Sequence, residues 1–231
     1  MTDRTVPIRA LIFDMDGLLV DSEDLAADAL RRFLENRGQE MTDGTMERTL
    51  GRRLPEAIAI IKEHYGLDGE VDDLTLEYDL LRLEALRGSV RPMPGAAAIV
   101  EWARAAGLRV ALASSSKRTH VDLSLQETGL AGKFDSETCG DEVTNGKPAP
   151  DIFLLAASRV GVDPEACVVL EDAPAGLAAG HAAGMRTIWV PNHKTRDLDP
   201  GVPVTFRARG LDDARGWLAA GHATGPMETA R

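Results

Sequence analysis

Cysteine and long apolar runs are scarce in this chain of 231 residues, and its 26 lysines and arginines are outnumbered by 37 acidic residues. The two cysteines, Cys139 and Cys167, show no metal-type or redox-type spacing, so we expect two free thiols in a reducing cytoplasm. No apolar run is long enough to span a bilayer, and no apolar signal segment precedes the first predicted strand. We therefore expect a cytoplasmic protein that does not associate with membranes.

Positive charge is also in deficit, because the formal net charge is -11 at pH 7. Nucleic acids and anionic membranes are bound through basic surfaces, so this balance argues against both as partners. The five histidines show no ligand spacing, which disfavours a zinc site. A chain of this length can bury one core, with or without an insertion, and we expect a monomer.

Short apolar segments alternate with helical segments along most of the chain. Strands are predicted at residues 9–13, 108–113, 167–170 and 186–190. Helices are predicted at residues 96–106, 121–128, 152–160 and 175–183. This alternation predicts an α/β fold with a parallel sheet and right-handed crossovers.

Residues 22–91 break this alternation, because their pattern is typical of helices only. Pro55 suits the first turn of a helix, and glycines suit helix ends at Gly38, Gly66 and Gly88. Apolar residues recur at helical spacing at Leu25, Ala29, Leu30, Phe33, Leu34, Ile58, Ile61, Tyr65, Leu74, Tyr78, Leu81 and Leu86. We predict a core made of residues 1–20 and 93–231 and a helical cap made of residues 21–92. The tail after Ala219 has little to bury, so we expect it to be disordered.

Two carboxylates one residue apart, Asp14 and Asp16, follow the first predicted strand. Ligands collect beyond the carboxyl ends of parallel strands, so a nucleophile would stand here. Because side chains alternate along an extended segment, the two carboxylates project similarly, and one can attack while the other handles a proton. An aspartate with an ordinary pKa of about 3.9 is charged at neutral pH, so it needs a cation to approach an anionic substrate. The alternative interpretation is a solvated turn after a buried strand.

Three further polar segments follow predicted strands or precede predicted helices. The run Ser114–Lys117 ends the second predicted strand, where hydroxyl and backbone N–H groups could bind a phosphoryl oxygen or cap the next helix. Lys147 precedes Pro148, which fits a helix start. Glu171 and Asp172 follow the strand at 167–170 and offer the hard oxygen ligands that Mg²⁺ prefers, although an acidic helix cap would use the same residues.

With these four motifs in this order, the chain resembles the haloacid dehalogenase-like hydrolase superfamily, in the helical-cap subgroup that includes β-phosphoglucomutases and phosphosugar phosphatases. The resemblance implies a Rossmann-like parallel sheet core with an inserted α-helical cap domain. It implies that Asp14 attacks phosphorus to form an aspartyl-phosphate, while Asp16 protonates the leaving group and later deprotonates water. The dehalogenase branch lacks the carboxylate that corresponds to Asp16, so phosphoryl transfer is favoured over carbon–halogen cleavage.

Substrate contacts are assigned to the serine-rich motif and to two cap arginines. We assign Ser114 to the transferring phosphoryl group, and Ser116 with Lys117 to the distal part of the substrate; Ser115 is assigned to helix capping. Arg52 and Arg53 precede a predicted cap helix, where they would either grip an anionic substrate or form a solvated helix entrance.

Metal and charge-neutralising roles are assigned to the remaining motifs. Lys147 resembles the family's lysine that offsets the charge of the nucleophile Asp14 and of the developing phosphoryl group. Mg²⁺ is expected as the cofactor, held by Asp14, the backbone carbonyl of Asp16, Asp172 and, directly or through water, Glu171.

The expected function is a Mg²⁺-dependent phosphatase of a small phosphorylated metabolite, with a sugar phosphate as the favoured class. The alternatives are a β-phosphoglucomutase-like hexose-phosphate mutase and a noncatalytic phosphometabolite-binding protein. In β-phosphoglucomutases a cap histidine lies twelve positions after the nucleophile, and here that position is Ala26. Counting from Gly51, the mutases' cap arginine corresponds to Leu54. Both differences favour hydrolysis, and a binding-only protein would have no chemical need for both Asp14 and Asp16.

Overall fold

A computed structural model describes residues 6–46, 48–49 and 52–221. The strands are β1 (Ala10–Phe13), β2 (Val20–Asp21), β3 (Arg91–Pro92), β4 (Arg109–Ser114), β5 (Ser136–Cys139), β6 (Cys167–Glu171), β7 (Arg186–Trp189) and β8 (Phe206–Arg207). The α-helices are α1 (Glu23–Glu35), α2 (Leu54–Tyr65), α3 (Val71–Leu86), α4 (Ala96–Ala105), α5 (Arg118–Glu127), α6 (Asp151–Val160), α7 (Pro174–Ala182) and α8 (Leu211–Ala219). Residues 1–5 and the predicted disordered tail from residue 222 onward lie outside the described residues.

Six of these strands form one parallel sheet in the order β5-β4-β1-β6-β7-β8. The predicted α/β fold, with a Rossmann-like core and a helical cap, is confirmed. Strand β1 lies in the interior of the sheet between β4 and β6. The carboxyl ends of these three strands therefore meet at one edge of the sheet, where the site is expected.

Both faces of β1 are buried, which explains its uninterrupted apolar sequence. Leu11 and Phe13 belong to an apolar cluster that includes residues of α4, α5 and α8. Ala10 and Ile12 belong to a second cluster, formed with residues of α6 and α7. Because successive side chains of a strand point to opposite faces, this alternation fixes β1 between two helical layers. The first catalytic motif is thus attached to the most buried strand of the fold.

The four predicted strands are confirmed as β1, β4, β6 and β7, with ends that differ by one residue. The four other strands were not predicted, namely β5 and β8 of this sheet and the short pair β2 and β3. Strand β5 lies at the edge of the sheet and has the sequence Ser-Glu-Thr-Cys, so it lacks the apolar run of a central strand. Strand β8 has only two residues. Helix α6 begins at Asp151, so the prediction that Pro148 stands at its start is wrong.

The cap consists of α1, α2 and α3 around an apolar cluster of its own. Phe33 and Tyr78 pack against each other within it, with ring centroids 5.5 Å apart. Pro55 lies in the first turn of α2, and Gly66 ends that helix with a left-handed φ of 61°, as predicted. Three helices that share an apolar interior therefore account for the helical pattern between residues 22 and 91.

The chain passes between core and cap through a short antiparallel ribbon. Val20 pairs with Pro92 and Asp21 pairs with Arg91, so β2 and β3 lie side by side. The predicted cap limits, residues 21 and 92, fall on this ribbon. The two chain segments that connect core and cap are thus held together near the carboxyl end of β1, where Asp14 and Asp16 lie.

No helix in the described part of the chain is long and apolar enough to cross a membrane. Cys139 and Cys167 are buried and unpaired, as predicted. Burial raises the pKa of Cys139 to about 12 and that of Cys167 to about 11, so both are protonated, unreactive thiols at neutral pH.

Candidate active site

Residues from separate motifs meet at the carboxyl ends of three neighbouring strands. Asp14 follows β1, Ser114 ends β4, Glu171 ends β6 and Asp172 follows it. Lys147 reaches the same point from the loop before α6. The hydrogen bonds among these residues and with Asp16, together with a shared cavity, join the four sequence motifs in one site.

Lys147 is buried and bonded to two carboxylates. Its Nζ donates to Asp14 Oδ1 at 2.5 Å, to Glu171 Oε1 at 2.8 Å and to the carbonyl of Ala113 at 3.3 Å. Burial lowers the pKa of Lys147, but the charges of Asp14 and Glu171 outweigh that effect, and the pKa lies above its usual range. The lysine is therefore a fixed cation, not an acid or base.

Three buried carboxylates surround that one cation. Asp14, Glu171 and Asp172 each offer an oxygen, and these oxygens lie within 4.8 Å of one another. Burial raises the pKa of Asp14 to about 8, with Glu171 and Asp16 adding to the rise and Lys147 opposing it. Burial and the charge of Glu171 also raise the pKa of Asp172 well above its usual range. An uncompensated group of hard oxygen donors in this arrangement fits a divalent cation such as Mg²⁺.

The two acidic residues after β6 differ in their other contacts. Glu171 Oε1 accepts from Lys147, and Oε2 accepts from the backbone N–H of Ala173 at 2.9 Å, just before α7. A Cβ at Gly176 would lie 1.6 Å from Glu171 Oε1, so only glycine leaves room for this carboxylate. Asp172 instead has its Oδ2 bonded to Asn192. Both oxygens of Glu171 thus have protein donors, whereas Asp172 has one oxygen without a donor among the described residues.

Asp16 is oriented by three serine hydroxyls. Ser22 donates to its Oδ1 at 2.7 Å, and Ser116 donates to its Oδ2 at 2.8 Å. Ser114 donates to the same Oδ2 at 3.3 Å and accepts the backbone N–H of Ser116 at 3.0 Å. The hydroxyls of Ser114 and Ser116 therefore hold Asp16 here, and their assigned phosphate contacts stay predictions. The capping role assigned to Ser115 is wrong, because Lys117 is the N-cap of α5.

A cavity lies between this group of residues and the cap. Asp14, Asp16, Ser116 and Arg52 line it, as does Ala26. Ser116, Lys117, Arg52 and Arg53 were assigned to the parts of the substrate beyond the transferring group, and of these four Ser116 and Arg52 line the cavity. Ser115, which was not assigned to substrate, also lines it.

The other two residues assigned to substrate have protein partners. Lys117 Nζ pairs with Asp79 of α3 at 3.0 Å. Arg53 donates to Glu56 at 2.7 Å and to the carbonyl of Val143 at 3.0 Å, which ties the cap to the core. Lys117 and Arg53 could bind a substrate only if these contacts within the protein were broken.

Asn192, in the loop after β7, joins two motifs and was not predicted. Its Nδ2 donates to Asp172 Oδ2 at 2.8 Å and to the carbonyl of Gly17 at 3.1 Å. Gly17 has a φ of 78°, and a Cβ there would lie 2.7 Å from both Asn192 Nδ2 and Asp172 Oδ2. In the sequence, the glycine after Asp16 could have indicated this close packing. A single asparagine after a predicted strand does not by itself indicate a site residue.

Residues 8–184 match the haloacid dehalogenase-like hydrolase family. The chain belongs to this family. It is 34% identical over 183 residues to a bifunctional riboflavin kinase/FMN phosphatase of Arabidopsis thaliana, covering 79% of this chain and 48% of that protein. It is 35% identical over 204 residues to protein CbbY of Rhodobacter capsulatus, covering 83% and 89%. It is 31% identical over 190 residues to a phosphorylated carbohydrates phosphatase of Thermotoga maritima, covering 82% and 88%.

The chain therefore spans about half the length of the bifunctional relative and most of the other two. The family match and the named phosphatases confirm the predicted enzyme class, a phosphoric monoester hydrolase.

Solved structures of haloacid dehalogenase-like proteins have the same fold. CbbY from Rhodobacter sphaeroides, in complex with phosphate, has a TM-score of 0.79 at 26% identity and covers 88% of this chain and 95% of that one. A β-phosphoglucomutase from Clostridium difficile has a TM-score of 0.81 at 23% identity and covers 94% and 97%. The second similarity shows the fold alone.

Proposed function

We propose that this chain is a Mg²⁺-dependent phosphatase that hydrolyses a small phosphorylated metabolite, with a sugar phosphate as the favoured class, through an aspartyl-phosphate. The observation that carries the proposal is the bond from Lys147 to Asp14 beside an Asp16 held by three serines. A nucleophile with a fixed cation and a separately oriented proton carrier is what a two-step phosphoryl transfer needs.

In the first step Asp14 attacks phosphorus. Lys147 holds Oδ1, so Oδ2 forms the new bond while the bond from phosphorus to the leaving oxygen breaks. Asp16 gives its proton to the leaving alkoxide, and the alcohol departs. The hydroxyls of Ser22 and Ser116 keep Asp16 in place during this transfer.

In the second step water attacks the aspartyl-phosphate. Asp16 takes the proton from that water, the bond between Asp14 and phosphorus breaks, and inorganic phosphate leaves with Asp14 restored as the carboxylate and Asp16 as the acid. Residues of the cap line the cavity together with Asp14 and Asp16 of the core.

Asp14, Asp172 and the backbone carbonyl of Asp16 would hold Mg²⁺, with Glu171 joining through water because both its oxygens already have protein donors. When bound, Mg²⁺ would neutralise the negative charge shared by the phosphoryl group and Asp14. The buried carboxylates fit this need, because one lysine does not balance three acidic side chains.

Release of phosphate from p-nitrophenyl phosphate, followed by a screen of phosphorylated metabolites, tests the proposal. We expect release that requires Mg²⁺ and is lost in Asp14→Asn, which keeps the shape of the side chain without its charge. The matched control is Asp197→Asn on the surface. Activity that persists in Asp14→Asn, with the protein's identity checked by mass, would contradict the mechanism.

A further inference from the structure

The cap wall of the cavity offers few groups to hydroxyls of a substrate. Most of its side chains are apolar, namely Met46, Leu54, Ala57, Ile61 and the ring of Tyr78. Its hydroxyls already donate within the protein, since Thr49 donates to the carbonyl of Met46 at 3.0 Å and Tyr78 donates to that of Ala26 at 3.0 Å. A neutral polyhydroxylated group would therefore find little to bond to on this wall.

Two arginines, Arg52 and Arg82, complete the same wall. Among the described residues, neither guanidinium makes an ion pair or a hydrogen bond within the protein. Arg52 is exposed and precedes α2, whereas Arg82 is half-buried on α3. A half-buried guanidinium with five donors and no acceptor is costly unless a ligand supplies one.

Asp79, the acidic residue of α3 best placed to pair with Arg82, makes its hydrogen bond elsewhere. It lies three residues before Arg82, which is the spacing at which a helical pair normally forms. Its Oδ2 accepts from Lys117 Nζ at 3.0 Å, across the junction between cap and core. Among the described residues, its Oδ1 has no hydrogen-bond partner, so Asp79 does not bond to Arg82, which lines the cavity.

The surroundings of Arg82 are consistent with an uncompensated positive charge. Burial lowers the pKa of His120 on α5 to about 4, and the charge of Arg82 adds to that effect. Glu23 at the start of α1 also lines the cavity, where burial and the charge of Asp16 raise its pKa to about 7. Among the described residues, four of the five acidic side chains in the cavity wall lie on the core side, namely Asp14, Asp16, Glu171 and Asp172.

We propose that Arg82 binds a second anionic group, a carboxylate or a phosphate, at the end of the substrate opposite the scissile phosphoryl group. This inference rests on the proposed phosphatase function, which places the scissile group at Asp14. A substrate lying across the cavity then meets carboxylates and Lys147 at one end and guanidinium groups at the other. Guanidinium is suited to either anion because its planar fork can donate two parallel hydrogen bonds.

Two matched substrate pairs separate the possible anions. Glucose 6-phosphate and 6-phosphogluconate differ by a carboxylate, and fructose 6-phosphate and fructose 1,6-bisphosphate differ by a phosphate. We expect the member with the second anion to have the higher kcat/KM in at least one pair. That pair identifies the anion, and preference in both pairs for the member with a single anionic group would overturn the inference.

The variant Arg82→Gln then tests the residue. Loss of a charge-assisted contact should lower kcat/KM for the preferred substrate with two anionic groups by about 10- to 100-fold, mainly through KM, and change p-nitrophenyl phosphate turnover by less than about threefold. Arg87→Gln, an equal charge change at the exposed end of α3, is the matched control and should change neither. Arg82→Lys should restore part of the preference.

Equal losses for both substrates in Arg82→Gln would overturn the role of this residue. If the wild type releases phosphate from p-nitrophenyl phosphate but shows no preference for a second anion, only this inference fails. If no phosphate ester is hydrolysed at all, the proposed function fails and the inference fails with it.

Discussion

Lys147 Nζ lies 2.5 Å from Asp14 Oδ1, although 133 residues separate the two in the sequence. Both side chains are almost fully buried, and Glu171 shares the same ammonium group at 2.8 Å. The contact joins the carboxyl end of β1 to the loop before α6. It sets the direction of the nucleophile and supplies a positive charge before any substrate arrives.

We expect Lys147→Met to lower kcat/KM for p-nitrophenyl phosphate by about 10²–10³-fold, because a preorganised cation is lost at the atom that attacks. Lys133→Met is the matched control, since that lysine pairs with Glu101 on the surface. Steady-state rates at saturating Mg²⁺ provide the measurement, with circular dichroism to verify folding. A rate within about threefold of the wild type would show that the charge of Lys147 is not used.

Asn192→Ala should weaken Mg²⁺ binding about 10- to 100-fold, because the side chain that orients Asp172 is removed without loss of a ligand. The Mg²⁺ concentration that gives half of the maximal rise in melting temperature is the measurement, and it does not depend on turnover. Asn36→Ala is the control, as Asn36 is exposed at the end of α1 in the cap. An unchanged Mg²⁺ dependence would exclude a positioning role for Asn192.

His120 predicts how stability depends on pH. Burial, with a contribution from Arg82, lowers its pKa from 6.5 to about 4, although Asp79 lies 3.6 Å away and favours the charged form. The unfolded chain therefore binds the proton first as the pH falls below 6.5, and stability is lost between that pH and about 4.

We expect the wild type to lose about 2 kcal/mol more unfolding free energy than His120→Gln between pH 7 and pH 5. Urea unfolding at the two pH values measures this difference. His181→Gln, at an exposed position, should behave like the wild type. Parallel losses in the wild type and in His120→Gln would mean that His120 binds its proton equally in both states.

Hydrolysis should prevail over isomerisation. Ala26 lines the cavity at the position where the mutases have a cap histidine, and alanine cannot carry a proton. We expect β-glucose 1-phosphate to yield inorganic phosphate and little glucose 6-phosphate. Both products are measured in one sample with coupled assays, and isomerisation that outruns phosphate release would favour a mutase.

Much of the fold was predictable because its signals are local. Four central strands have apolar runs, and the cap helices carry apolar residues at helical spacing with Pro55 and Gly66 near their ends. Strand β5 was missed because it is a polar edge strand, and its position depends on pairing with β4. Its register is set by tertiary contacts that no short window of sequence contains.

The site was predictable where a motif supplied the residue. Asp14, Asp16, Lys147 and Asp172 stand in such motifs, and the structure brings them together. Asn192 and Arg82 stand in none, and their importance comes from which groups they face. Lys117 shows the converse. Its motif suggested substrate binding, but its ammonium group forms an ion pair with Asp79 of the cap.

The covalent step on Asp14 is tested most directly by trapping the phosphoryl enzyme. Acetyl phosphate has a leaving group that needs no proton, so Asp16→Asn should still be phosphorylated by it but should lack the base that activates water. Radiolabelled acetyl phosphate, rapid acid quenching and peptide mapping by mass should find label accumulating on Asp14 in Asp16→Asn, and none when Asp14→Asn is added. Label on a different residue, or phosphate release by Asp16→Asn with no labelled protein, would contradict the account.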